Sequence, residues 1–97
     1  MLEEIKDLVE KYFNLIDTVK GEYASPFLSA DKFQEELNEL YEVWYSTGSN
    51  EAIINELVDV FLTTLRLMKT NNVLEDFIEM LEYKVARQYS REGLNYE

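Results

Sequence analysis

Residues 51–70 read EAIINELVDVFLTTLRLMKT, and this stretch decides the fold class. Advancing about 100° per residue from Ile53, the apolar side chains occupy most of the helix circumference. They include Ile54, Leu57, Val58, Phe61, Leu62, Leu65 and Met68. The polar side chains mainly share one narrow stripe: Glu56, Asp59, Thr63, Arg66 and Thr70. A helix apolar nearly all round is a buried helix. Glu56 and Asp59 are therefore expected on the one wet side of a central helix.

Outward from this stretch the chain reads as helix in both directions. Residues 46–50, Ser-Thr-Gly-Ser-Asn, make a short turn, and Asn50 or Ser49 can cap the helix that follows. Before the turn, a helix from about Ala30 to Tyr45 carries the stripe Phe33, Leu37, Leu40, Tyr41 and Trp44. Glu22 to Ala30, with Ser25-Pro26, reads as a connection. A first helix covers residues 2–20, with Leu2, Ile5, Leu8, Val9, Tyr12, Phe13, Ile16 and Val19 on one face and Gly21 as its stop. After Thr70, Asn71-Asn72 breaks the chain. Asn72 with Glu75 suggests a capping box for a fourth helix ending near Arg91, beyond which the tail is expected to fray. The expected fold is all-α, a single domain over residues 1–97, with a bundle of about four helices completed by oligomerisation. Self-association is expected because residues 51–70 carry more apolar surface than one 97-residue chain easily covers.

Composition narrows the chemistry. Hydrophobic residues make up 46% of the chain, enough for a globular core. There is no cysteine and no histidine, which excludes thiolate and imidazole ligands and Ser-His or Cys-His nucleophiles. Any metal must be held by oxygen, favouring a hard cation such as Mg²⁺ or Mn²⁺. The net charge of −11 argues against nucleic-acid polymers and anionic membranes as partners. No apolar run is long enough to span a bilayer, and Met1-Leu2-Glu3-Glu4 lacks the basic start of a signal peptide, so a cytoplasmic location is expected.

Two short strings carry the candidate site. Glu36-Leu37-Asn38-Glu39-Leu40-Tyr41 and Glu56-Leu57-Val58-Asp59-Val60-Phe61 both read acid-Leu-x-acid-apolar-aromatic. Acids three apart share a helix face. In each string the first acid flanks the apolar stripe by about 60° and the second by about 120°, in the same sense. The intervening turn is short, so the helices should be antiparallel neighbours. Glu39 and Glu56 lie equally far from the turn centre, and so do Glu36 and Asp59. All four carboxylates therefore converge on one patch, which repels itself unless a cation sits there. Acid pairs of the same spacing at Glu4/Asp7, Asp76/Glu79 and Glu79/Glu82 are read as solvated faces. Lys84, Arg87 and Arg91 lie along one flank of the fourth helix and can bind phosphate. Tyr41 and Trp44 are expected in the core, whereas Tyr45 and Tyr23 are more open candidates for stacking on a base.

The order ExxE, a gap of 16 residues, then ExxD resembles the signature of the all-α nucleoside triphosphate pyrophosphohydrolases. These are the MazG, dimeric dUTPase and phosphoribosyl-ATP pyrophosphohydrolase group. Asn55 to Phe61 is similar to that family's second metal segment, and Lys84 to Arg91 resembles the basic string many MazG-like proteins carry on the next helix. The resemblance covers roughly residues 28–91, and the metal-binding core is expected over residues 30–91. Residues 23–27, Tyr-Ala-Ser-Pro-Phe, depart from the Trp-containing loop of the better-known members and leave the base open. The resemblance implies a MazG-like bundle, a dimer or pair of dimers with helices of two chains completing each site, and a nucleotide substrate. It implies magnesium held by Glu36, Glu39, Glu56 and Asp59. Glu39 is the candidate to orient or deprotonate the attacking water, and Lys84, Arg87 and Arg91 the candidates to bind substrate phosphates. A phosphoribosyl-ATP-cleaving relative and a non-catalytic helical adaptor are the alternatives.

Overall fold

A computed structural model describes residues 1–96. The fold is all-α: α1 spans Leu2–Val19, α2 Pro26–Ser46, α3 Asn50–Thr70 and α4 Leu74–Arg91, with a 3-10 turn at Gly21–Ala24. None of these helices is long and apolar enough to cross a membrane.

Local chemistry sets most of the helix ends. Ser25 is the N-cap of α2, its Oγ accepting from the Leu28 N–H at 3.2 Å. Pro26 follows at the first position, where a missing N–H costs nothing. The Ser25-Pro26 pair is thus a helix start, and α2 begins four residues earlier than the expected Ala30. Ser49 caps α3 in the same way, accepting from the Ala52 N–H at 3.2 Å. The expected capping box at Asn72 is not formed. Asn72 has φ 56°, its N–H reaches the Lys69 carbonyl, and the Val73 N–H reaches Met68, closing the last carbonyls of α3. Having ended one helix in this way, Asn72 cannot cap the next; Val73 takes that position with no side-chain hydrogen bond. α4 ends at Arg91, as expected, and the chain turns back on it. Gly93 adopts φ 72°, Leu94 N–H bonds the Tyr89 carbonyl at 2.9 Å, and Tyr96 sits edge-on to Tyr89.

The principal packing is between α2 and α3. Three residues turn the chain between them, so the helices run antiparallel. Residues equidistant from the turn centre face each other: Ser29 with Arg66, Lys32 with Thr63, Glu36 with Asp59, and Glu39 with Glu56. These levels are spaced three and four residues apart, the spacing of a helix–helix seam. Every one of these side chains is buried or half-buried. The expectation that the polar stripe of α3 is its wet side is therefore overturned: the stripe faces α2. The apolar residues Ile54, Leu57, Val58 and Phe61 are turned outward instead, each about half exposed or more.

Arg66 anchors the far end of the seam. Its Nε donates to Ser29 Oγ at 2.9 Å and its Nη2 to the Glu22 carbonyl at 2.9 Å. The guanidinium lies 4.8 Å from the centre of the Tyr23 ring. One side chain thereby joins α3, α2 and the 3-10 turn. Tyr23, expected as an open stacking residue, is engaged here. The second half of α1 packs on α3 through buried Ile16, with an ion pair from Lys69 to Asp17 at 3.1 Å. The first half carries exposed Leu2, Ile5 and Leu8. α4 touches α3 alone and buries none of its residues.

Arg66→Ala is expected to destabilise the fold by about 3 kcal/mol, since two charge-assisted bonds and a packed stem are lost. Arg66→Lys should recover only part of this, because an ammonium cannot span Ser29 and Glu22 while stacking on Tyr23. Urea denaturation measures both, and a wild-type midpoint for Arg66→Ala would remove the anchoring role.

Candidate metal centre

The seam levels nearest the turn hold the acids. Carboxylate oxygens of Glu36, Glu56 and Asp59 lie within 4.8 Å of one another. Trans oxygens around magnesium are about 4.2 Å apart, so these three need little movement to share one ion. Glu36 is 6% exposed, and Lys32 one helical turn earlier reaches its Oε1 at 3.2 Å. Oε2 of Glu36 and Oε2 of Glu56 are buried and have no hydrogen-bond partner. Buried polar atoms are nearly always satisfied, and a carboxylate oxygen left alone is costly. A cation between Glu36 and Glu56 would satisfy both.

Glu39 lies outside the three-residue cluster but interacts with it. The bond that a protonated Glu39 can donate to Glu36, then the like charge of Glu36, raise its carboxyl above the usual range, with smaller contributions from burial and from Glu56. Asp59 is also raised, first by burial and then by the charge of Glu36, against a partial offset from Lys32. Along the whole seam, four carboxylates face two cations, Lys32 and Arg66, and Arg66 is committed to neutral partners at the other end. A divalent cation would offset most of that deficit, and an all-oxygen donor set suits a hard ion.

The other expected residues are placed differently. Lys84, Arg87 and Arg91 are exposed on α4, and none forms an ion pair among the described residues. None of the three comes within ion-pair distance of Glu36, Glu39, Glu56 or Asp59 of its own chain. Tyr41 and Trp44, expected in the core, are 57% and 59% exposed. The reason is the inverted packing: the polar edge of α2 faces α3, which turns the aromatic edge outward. Tyr45 is open as expected and stacks on Tyr41 at 6.4 Å. Glu79 and Glu82 are solvated. Lys32 was not anticipated. Its signal was its position four residues before Glu36, the spacing of a helical ion pair. Comparison of the chain with family models, with curated proteins and with solved structures finds no match.

The raised carboxyls set a pH dependence. The folded state holds the Asp59 proton more tightly than the unfolded chain, so ionised Asp59 costs stability at neutral pH. That cost disappears as pH falls through the raised folded value and below the ordinary 3.8. Without divalent ions, Asp59→Asn is therefore expected to melt at or slightly above wild type at pH 7, with the difference shrinking on acidification. Paired melting curves from pH 7 to 4 check this; an Asn variant clearly less stable at pH 7 would reverse the sign.

Proposed function

We propose that this chain is a magnesium-dependent nucleoside triphosphate pyrophosphohydrolase of the MazG-like kind, cleaving an NTP or dNTP to monophosphate and pyrophosphate. The observation that carries the reading is the pair of buried, unpartnered oxygens of Glu36 and Glu56, set among acids with the ExxE and ExxD spacing. Buried charge without a partner is retained where a ligand is to supply it.

In this reading Glu36, Glu56 and Asp59 hold the ion, with Mn²⁺ able to replace Mg²⁺. The bound ion supplies positive charge against the triphosphate oxygens, where charge develops during phosphoryl transfer. Glu39 is the general base. It is half-buried, it borders the cluster, and its raised carboxyl accepts a proton more readily than an ordinary glutamate. Water oxygen bonds to the α-phosphorus, the bond from that phosphorus to the α,β-bridging oxygen breaks, and the proton of the water passes to Glu39. Lys32 stands beside Glu36, where its ammonium can turn from carboxylate to phosphate. Lys84, Arg87 and Arg91 bind phosphate in this reading when α4 arrives from a second chain, since none of the three pairs with the seam carboxylates of its own chain. A cytoplasmic location suits such a substrate.

The test is pyrophosphate release from each common ribo- and deoxynucleoside triphosphate, with and without Mg²⁺. Magnesium at a hundredfold excess over its Kd should add about 2.7 kcal/mol by linkage, a rise in Tm on the order of 10 °C for a domain of this size. Asp59→Asn should lose most of that rise and nearly all release, while Glu79→Gln on α4 changes neither. No release from any nucleotide, together with a Tm indifferent to Mg²⁺, would sink the reading in favour of a non-catalytic adaptor.

The base assignment has its own signature. Glu39→Gln is expected to lower kcat by about 10²–10⁴ while keeping most of the Mg²⁺-dependent rise in Tm. If the rise is lost along with activity, Glu39 is a metal ligand and the base lies elsewhere.

A further inference from the structure

The acid end of the seam holds one cation of its own. Lys32 Nζ lies 3.2 Å from Oε1 of Glu36 and 3.3 Å from Oε1 of Glu35. These two partners differ. The Glu36 side chain is 8% exposed and belongs to the acid cluster, whereas that of Glu35 is 56% exposed. Across the seam stands Thr63, whose Oγ1 donates to the Asp59 and Val60 carbonyls of its own helix, so α3 sets a neutral group at the level of the ammonium. Glu36 and Glu56 share one arrangement. Oε1 of Glu36 faces Lys32, Oε1 of Glu56 accepts from Asn55 Nδ2 at 3.5 Å, and each Oε2 is buried without a partner.

Relative energies decide what Lys32 does when those free oxygens take an ion. A divalent cation on Oε2 of Glu36 would stand about 6 Å from the ammonium. At about 6 Å, a divalent and a univalent cation repel enough to weaken binding about tenfold, even at the dielectric of water. The pair that holds Lys32 in place is weaker than this. Its lysine side chain is 42% exposed, and part-exposed ion pairs contribute little. Lysine four residues before glutamate is also the weaker order of a helical pair. Leaving Glu36 costs little, because Glu35 is already within reach of the same ammonium.

We propose that Lys32 is a displaceable counter-ion of the metal centre. It neutralises Glu36 in the metal-free protein and moves off, toward Glu35 and solvent, when a divalent cation binds. Lys32 thereby raises the metal concentration at which the site fills, and its ammonium is released for a phosphate group as the ion is seated. The inference rests on the reading of Glu36, Glu56 and Asp59 as metal ligands and does not depend on hydrolysis.

The readout is the Kd for Mg²⁺, from calorimetric titration of the full chain with MgCl₂ alone. Lys32→Gln keeps a donor for Oε1 of Glu36 and removes the charge. It is expected to bind Mg²⁺ more tightly than wild type. The gain should lie between about threefold, the worth of a part-exposed ion pair, and about tenfold, the repulsion felt if the ammonium stayed. Lys32→Arg keeps the charge and should stay near the wild-type Kd. A lysine that served only to orient Glu36 would give the opposite sign, since losing the outer partner of a metal ligand weakens binding about 10–100-fold. Lys32→Gln binding Mg²⁺ as wild type does, or more weakly, overturns the proposal. A second measurement needs no variant. When wild type is acylated with a succinimidyl ester and mapped by mass spectrometry, labelling of Lys32 relative to exposed Lys6 should rise as Mg²⁺ is added. An unmoved ratio at saturating Mg²⁺ would mean that Lys32 stays on Glu36, and would overturn it as well. Wild type that binds no Mg²⁺ defeats the metal reading itself, whereas wild type that binds, with Lys32→Gln binding no tighter, defeats only the role of Lys32.

Discussion

The structure depends on a polar seam between α2 and α3. At its levels, where a helical hairpin ordinarily packs Leu against Leu, this chain sets Ser29, Lys32, Glu36 and Glu39 against Arg66, Thr63, Asp59 and Glu56. Such a seam holds only if each charge finds a partner. At the far end the condition is met without acids, by a guanidinium that uses Ser29 Oγ, the Glu22 carbonyl and the face of Tyr23. Near the turn it is met incompletely. Lys32 serves one oxygen of Glu36, and oxygens of Glu36 and Glu56 stay unpartnered.

That difference separates the structural part of the seam from the chemical part. Arg66 makes fixed, short bonds to neutral groups and ties three segments together. Hydrogen bonding with Glu36 raises the Glu39 carboxyl and burial raises that of Asp59, and the like charge of Glu36 adds to both. Local rules of good packing are broken where four acids meet on one side of a helical hairpin, and such breaches concentrate at functional sites. A cation bound among the acids would relieve their repulsion.

The seam also governs the outside of the molecule. A helix has one circumference, and α3 spends its polar arc on α2. Its apolar arc must then look elsewhere, and α1 covers only part of it, through Phe13 and Ile16. The same constraint turns Tyr41 and Trp44 of α2 outward. Exposed apolar surface on α1, α3 and α4 is thus a consequence of the polar interior, and the extended outline of the chain follows from it.

From the sequence alone came the four helices, the antiparallel pairing of α2 with α3, and the facing levels of Glu36 with Asp59 and Glu39 with Glu56. These follow from hydrophobic period, a short turn and residue counting from its centre, all of which are local or nearly so. The start of α2 at Ser25-Pro26 was legible in principle, since serine followed by proline is a helix-opening pair, but the same pair also suits a loop. Asn72 could have capped either helix beside it; the left-handed backbone that ends α3 decided between them. What tertiary structure alone decided is which arc of α3 faces inward. Periodicity assigns each side chain an angle about its own helix axis but says nothing of where that angle points in the molecule. The direction was set by the long-range bonds of Arg66 to Ser29 and Glu22, whose partners lie 37 and 44 residues away in the chain, and no pattern within one helix encodes them.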